Sequence, residues 1–327
     1  MKVLFVGSGN SEFGISPIVR NQGESLIRHH IDLCYFSIMG RGVWGYVTHL
    51  FKLKKILSSD QFDLIHAHYG LSGVIALLAH KNEKILISYM GSDLLGDVNR
   101  RGRYTLFGKI LVAINKYFAD KYDYVIVKSQ QLSETLKPGV NHDIIPNGVD
   151  LDTFTEKIKS AARTSLKIPE DQKLILFVAD PPRLEKNFKL ARESIKLLND
   201  DSIMFTVVSG IPKDRLVLFY NAADVLLLTS IHEGSPNNIK EAMACNCPIV
   251  ATDVGDVQWV IGNTDGCYLA SSAPDDIANK LALALEFSKK YGRTTGRDRI
   301  VELGLDSNTI ARKIISVYHH LLSRDKR

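Results

Sequence analysis

The sequence has no apolar run near the roughly 18 residues that a membrane-crossing helix requires. Its apolar opening, Val3-Leu4-Phe5-Val6, runs straight into Gly7-Ser8-Gly9, too short for a signal peptide, so a cytoplasmic protein is expected. Cysteine is scarce, at four in 327 residues. Cys34, Cys245, Cys247 and Cys267 are too scattered for a disulfide framework, and Cys245-x-Cys247 has no second pair to complete a zinc site. Free buried thiols are the expectation. A strong excess of charge of one sign is absent: the net charge is +5, with 17 basic and 13 acidic residues in the first 150. That small excess admits an anionic partner, such as a nucleotide, an acidic glycan or a phospholipid surface, but is too weak for nucleic acid. With 45% hydrophobic and 24% charged residues, disordered and collagenous chains are excluded.

What is present is alternation. Short apolar runs read as strands at Val3–Val6, Ile31–Phe36, Asp63–His66, Ile85–Tyr89, Tyr124–Val127 and Asp143–Ile145. Helices are expected between them, at Pro17–His29, Tyr46–Leu57, Ser72–His80, Tyr104–Phe118 and Ser129–Leu136. Ser16 and Pro17 suit the cap and first turn of the first helix. Uninterrupted apolar runs predict strands buried on both faces, and the strand–helix repeat predicts a parallel sheet. The turn-rich Ile145-Pro146-Asn147-Gly148-Val149-Asp150 closes this series. A second follows, with strands at Leu174–Val178, Phe205–Val208, Val225–Leu228, Ile249–Ala251 and Cys267–Leu269. Its helices are expected at Phe188–Leu198, Arg215–Ala222, Asn237–Ala244, Asp275–Phe287 and Thr309–Leu322. The fold class is therefore α/β, two doubly wound Rossmann-like domains. The domains are 1–147 and 148–305, joined near 147–165, with a C-terminal helix over 306–327.

Ligands of open parallel sheets bind at the carboxyl ends of strands, so the loops there carry the candidate chemistry. The strongest segment runs from Thr229 to Cys245. Ser235 suits the N-cap and Pro236 the next position, Asn237 and Asn238 open the helix, and Asn246 with Pro248 ends it. The free N–H groups at such a helix start suit a diphosphate. Glu241, one turn inside, can accept two hydroxyls of a ribose; Glu233, in the loop, can hold a second sugar. The plain alternative is a capped helix bearing two surface glutamates. In Asp180-Pro181-Pro182-Arg183-Leu184-Glu185-Lys186-Asn187, Arg183 and Lys186 are placed to neutralise a departing pyrophosphate, or are ordinary solvated charge.

Other motifs carry less. Gly7-Ser8-Gly9-Asn10-Ser11-Glu12-Phe13-Gly14 is spaced GxGxxxxG, which argues against a nicotinamide enzyme but suits backbone approach to phosphate. Asp93 in Gly91-Ser92-Asp93 suits orientation of an acceptor hydroxyl, or simply a turn. His66 and His68 share a strand face without an evident third metal ligand. Asp150-Leu151-Asp152 reads as a hinge. Trp44–Leu57 is a basic amphipathic stretch, suited to an anionic bilayer surface, as is Arg100-Arg101-Gly102-Arg103, or else an ordinary domain helix.

These residues together resemble the retaining nucleotide-sugar glycosyltransferases of the GT-B fold, in particular glycosyltransferase family 4. The resemblance is carried by Glu233-x7-Glu241 inside EGSPNNIKEAMACNCPIVATDVGD. IPNGVDLDTF, ADPPRLEKNFKLA, NAADVLLLTS, FDLIHAHYG and MGSDLLG support it over nearly the whole chain. It implies two domains facing across a cleft, with the donor in the second. Glu241 would hold the ribose, Glu233 the donor sugar at the reacting centre, and Lys186 with Arg183 the diphosphate. Amides near Ser235, Asn237, Asn238 and Gly14 would complete the phosphate site. The first domain would bind the acceptor, with Asp93 at the reaction centre, and the last helix would pack back on it. The chain departs from the family pattern at Ser235-Pro236, at the offset of Arg183, and at Met90, where many relatives carry histidine.

The implied function is metal-independent, retaining transfer of a sugar from a nucleoside diphosphate donor to a glycan or lipid-linked acceptor, in bacterial cell-surface polysaccharide biosynthesis. No cofactor beyond the nucleotide sugar is expected. The location would be cytoplasmic, with peripheral contact at the inner face of the membrane. The alternatives are a nucleotide-sugar epimerase of the same fold and a catalytically silent sugar-nucleotide binding protein.

Overall fold

A computed structural model describes residues 1–10, 14–40, 42–99 and 102–323, with the backbone alone at 42 and 43. The chain divides into two compact units. The first comprises Met1–Asp97, Tyr104–Asn147 and Ser307–Arg327; the second comprises Val98–Arg103 and Gly148–Asp306.

In the first unit the order is β1 (Lys2–Ser8), α1 (Pro17–Arg28), β2 (Asp32–Ile38), α2 (Gly42–Ser59), β3 (Leu64–His68) and α3 (Gly70–Ala79). It continues with β4 (Lys84–Ser88), α4 (Ser92–Leu95), α5 (Leu106–Phe118), β5 (Tyr124–Val127), α6 (Gln130–Ser133) and β6 (His142–Ile144). The sheet order is β2-β1-β3-β4-β5-β6, with every pair parallel. β3 and β5 are buried throughout, which is why they read as continuous apolar runs rather than alternating ones. Val6, Ile65, Ile87 and Val125 form the centre of its core.

Local chemistry moves several boundaries. Pro17 does open α1, but the Ser16 side chain makes no capping bond. The expected helix from Tyr104 starts at Leu106, because Thr105 accepts from the Gly108 amide at 3.0 Å and caps it. The expected Ser129–Leu136 helix is only one turn, with Ser129 as its cap.

The second unit runs α7 (Lys159–Leu166), β7 (Lys173–Val178), α8 (Phe188–Leu197), β8 (Ile203–Val208), α9 (Lys213–Ala222), β9 (Val225–Leu228) and α10 (Asn237–Ala244). Then come β10 (Ile249–Thr252), α11 (Val257–Ile261), β11 (Cys267–Ala270), α12 (Pro274–Tyr291) and α13 (Gly296–Glu302). Its parallel sheet is ordered β11-β10-β9-β7-β8 around a core that includes Ile175, Phe177, Leu227 and Val250. α7 lies in what the sequence suggested was a joining segment. Its stretch KSAARTSL has too few apolar residues to show a helical period. Tertiary bonding holds it instead: the buried Arg163 guanidinium meets the Asp224 carboxylate at 2.7 Å. Asp224 also accepts from the Leu174 amide at 2.7 Å and Ser288 Oγ at 3.0 Å, tying α7 to β7 and α12.

The last helix, α14 (Ser307–Ser323), belongs to the first unit and packs against α1. Its Tyr318 hydroxyl lies 2.6 Å from His66 Nδ1. Both sheets reverse their strand order once, between β1 and β3 in the first and between β7 and β9 in the second. These are the topological switch points, where the carboxyl-end loops diverge and leave a crevice.

Candidate functional site

At the switch point of the second unit, the loops after β7 and β9 are stitched together. Thr229 Oγ1, just past β9, donates to the carbonyls of Lys186 and Asn187 at 3.0 and 3.1 Å. The Ile231 amide donates to the Glu185 carbonyl at 2.8 Å. Asn187 takes a left-handed conformation, φ 50°, which turns the chain from the short helical turn at Leu184–Lys186 into α8. This fixes the Lys186 ammonium against the Glu233 carboxylate, 47 residues later, as an ion pair. Ser230 Oγ donates to the same Glu233 oxygen at 2.7 Å.

α10 begins here with its first amides uncapped: Pro236 is the N-cap and supplies no side-chain acceptor, and no acid stands in the first turn. This corrects the expectation for Ser235. Its hydroxyl points away from the helix start and donates to Asp256 Oδ2 at 2.6 Å. It also accepts from the Lys240 ammonium. Lys240 lies 3.2 Å from Asp256, and both are buried, so the loop is anchored from beneath by the polar contacts among Ser235, Lys240 and Asp256 Oδ2. Gly255 sits against the same loop at φ +63°. A Cβ there would come 2.8 Å from the Gly234 carbonyl oxygen. With the N-cap position left open, the amide groups of Asn237 and its successors carry the positive end of the helix dipole outward. The Oδ1 atoms of Asn237 and Asn238 are buried there and make no protein hydrogen bond. Asn238 Nδ2 donates to the Val178 carbonyl at 3.3 Å, so β7 positions it.

Glu241 is one turn further along α10. The buried Tyr220 hydroxyl donates to its Oε2 at 2.7 Å. Burial raises the Glu241 carboxyl above the ordinary carboxylate range, against the opposing pull of that hydrogen bond, Lys213 and Lys240. A carboxylate so held has lone pairs left for hydroxyl donors.

Within the second unit, Arg183 stands apart from this group. Arg183 is exposed and paired with Glu185 at 2.6 Å. It lines, with Leu184, Asn187, Phe188 and Ile231, a cavity of about 770 Å³ against α8. Gly14 and Asp93 belong to the first unit. Of the glycine-rich turn, Ser11, Glu12 and Phe13 lie outside the described residues. Gly14 has φ +74°. Gly9 is required by packing: a Cβ would lie 2.9 Å from that of Ser37, and its amide is already given to the Ile38 carbonyl.

The Asp93 carboxylate accepts from the amides of Met90 at 3.0 Å and Gly91 at 2.8 Å, shaping its own loop. Burial raises its carboxyl above the ordinary range despite those bonds. His66 is engaged through both nitrogens, by Tyr318 and by Ser88 at 2.8 Å. His68 stacks on it with centroids 4.3 Å apart, and burial holds both rings neutral. Asp150 accepts from the amides of Asp152 and Thr153, a turn at the start of the second unit. The expected buried thiols hold for Cys245 and Cys247, while Cys34 and Cys267 are half-buried. Sequence reasoning missed Tyr220, Lys240 and Asp256. The only signal was that a lysine stood mid-helix on the face that must be buried.

Residues 158–297 match the family described as Glycosyl transferases group 1, and residues 17–153 match Glycosyltransferase Family 4. A glycosyltransferase assigned to teichuronic acid biosynthesis in Bacillus subtilis, TuaC, is 28% identical over 64% of this chain and 58% of its own length. The D-inositol 3-phosphate glycosyltransferase 2 of Catenulispora acidiphila is 27% identical over 69% of this chain and 63% of its own. The chain thus spans about three fifths of the length of these relatives. Among solved structures, sucrose-phosphate synthase from Thermosynechococcus elongatus superposes with TM-score 0.77 at 20% identity, covering 99% of both chains. Anabaena HepE in complex with UDP and glucose superposes with TM-score 0.73 at 15% identity, over 98% of this chain and 100% of that one. These likenesses establish the two-sheet GT-B fold.

Proposed function

From the premise that this chain belongs to the group 1 and family 4 glycosyltransferases, we propose that it transfers a sugar from a nucleoside diphosphate donor to a glycan or lipid-linked acceptor. Retention of anomeric configuration, independence of metal and a role in bacterial cell-surface polysaccharide assembly are part of this proposal. The observation that carries it is the convergence, at one switch point, of an uncapped helix start, the Lys186–Glu233 pair and Glu241. HepE was solved with UDP and with UDP-glucose, which supports a donor of that class.

In this reading the α10 amides and Lys186 bind the diphosphate, and Glu241 accepts the ribose hydroxyls. Arg183, on the rim, adds a screened charge. Lys186 would exchange Glu233 for phosphate oxygens as donor enters, freeing Glu233 to accept sugar hydroxyls. Positive charge placed where the leaving diphosphate gains negative charge lowers the barrier. Asp93 and the Gly14 turn, in the first unit, are assigned to the acceptor loop and the phosphate. A thermal-shift screen against nucleoside diphosphates and their sugars tests the donor class. The preferred ligand raises apparent stability by mass action. Absence of any shift at millimolar nucleotide would refute the reading. Product analysis by NMR then separates retained from inverted linkages, and a transferred sugar from an epimerised donor.

A further inference from the structure

α2 and α5 carry apolar side chains where a domain helix carries polar ones. On α2 the core side is taken by Leu53 and Leu57, both buried. The opposite side shows Trp44 80% exposed and Phe51 67% exposed, one stripe two turns apart, with Val47 beside it. On α5 the exposed stripe is Leu106, Ile110 and Tyr117, with Phe107 next to it, and Leu106 is 76% exposed. Single exposed apolar residues are normal on a protein surface; aligned stripes on two helices are not.

The two helices belong to one layer. Each lies between strands that advance in the same direction across the sheet, and connections of one hand put them on the same face. α3 lies between them and packs against both. The outward stripes of α2 and α5 therefore look the same way, with the exposed Leu78 of α3 between.

The charges of this layer have one sign. α2 contains Lys52, Lys54 and Lys55, α5 contains Lys109 and Lys116, and neither helix has an acidic residue. At 100° per residue, Lys52 and Lys54 fall on either side of the Trp44–Phe51 stripe, and Lys109 and Lys116 both fall on one side of the Leu106–Tyr117 stripe. Long lysine stems beside an apolar stripe let the ring or aliphatic group enter hydrocarbon while the ammonium stays at headgroup level.

We propose that the α2–α3–α5 face of the first unit docks onto the surface of an anionic phospholipid bilayer, inserting Trp44 and Phe51 from α2 and Leu106 and Phe107 from α5. Arg100 and Arg101, the other basic segment singled out in the sequence, lie outside the described residues and have no part in it. The proposal does not rest on transfer activity, so vesicle binding and nucleotide binding fail or succeed separately.

The test is flotation of the full chain with vesicles of phosphatidylcholine alone or with phosphatidylglycerol added. Trp44 and Trp259 are the two tryptophans, so a Trp259→Phe background makes Trp44 a fluorescence reporter of insertion. The expected result is recovery with the anionic vesicles, a blue shift of Trp44, and weakening as salt is raised. Phe51→Ser, the pair Leu106→Ser with Phe107→Ser, and the triple Lys52→Glu, Lys54→Glu, Lys55→Glu should each weaken binding about tenfold or more. All these positions are exposed, and unchanged melting temperatures and nucleotide-induced shifts confirm that each variant is folded. Absence of binding at low salt overturns the proposal, as does equal binding to neutral vesicles. Loss on changing α2 but none on changing α5 overturns the two-helix surface. A dimer in sedimentation that Phe51→Ser and Leu106→Ser dissociate, with no vesicle binding, assigns the face to self-association instead.

Discussion

The Lys240 ammonium lies 3.2 Å from the Asp256 carboxylate, with both side chains buried beneath the loop that opens α10. Ser235 joins this pair by donating to Asp256 at 2.6 Å. A buried ion pair contributes little net stability, but removing one partner strands the other charge, at about 3–5 kcal/mol. Lys240→Met is therefore expected to lower the melting temperature by roughly 6–20 °C, at about 2–4 °C per kcal/mol for a unit of this size. Asp256→Leu added to it should recover part of the loss. Differential scanning calorimetry of the two variants decides this. A double variant no more stable than the single one would remove the stranded-charge explanation.

Glu241 is expected to trade stability for binding. Burial raises its carboxyl, so the folded chain holds that proton more tightly than the unfolded one does. Ionising Glu241 therefore costs stability, and the cost is absent below the unfolded carboxyl value of about 4. It is complete once pH passes the higher folded value. Glu241→Gln should thus be more stable than the parent at neutral pH, with the difference closing as pH falls toward about 4. The same variant should bind nucleoside diphosphate about tenfold to a hundredfold more weakly, as for loss of a charged hydrogen bond. Melting curves across pH and calorimetric titration read the two effects independently.

Lys186 is the cation that meets Glu233. If it serves the leaving diphosphate, Lys186→Met should lower kcat by about 10²–10³. Arginine keeps the charge but spreads it over a planar fork, so Lys186→Arg should restore only part of the rate. A loss confined to KM would show that the residue binds donor and transition state equally.

Gly255 offers a test free of charge effects. Gly255→Ala places a Cβ 2.8 Å from the Gly234 oxygen at φ +63°. Backbone strain of that kind costs about 1–3 kcal/mol. The variant should lose that stability in urea unfolding and also bind nucleotide more weakly, because Gly234 lies in the loop that leads into the α10 amides. Unchanged affinity with the stability loss would separate the loop from the donor site.

Much of the site was legible in the chain because its spacing is local. Glu233 and Glu241 flank one helix start, and the strand Val225–Leu228 before it and the helix Asn237–Ala244 fall as the apolar pattern says. Lys186 was legible as a charge after a strand. Its partner was not, because 47 residues separate them and only the adjacency of β7 and β9 brings their loops together. Ser235 misled for the same reason. Its sequence position suits a helix cap, but the Asp256 carboxylate, from the residue that opens α11, competes for the hydroxyl and wins.

The alternation of apolar runs with amphipathic stretches was enough to determine two parallel α/β sheets, since strands buried on both faces need no partner information to be recognised. Which strands neighbour one another, and hence where each switch point falls, was decided by the tertiary structure. So was the surface of α5. A helical period of apolar residues reads the same whether the stripe meets a core or solvent, and only packing on the opposite side leaves Leu106, Ile110 and Tyr117 outside.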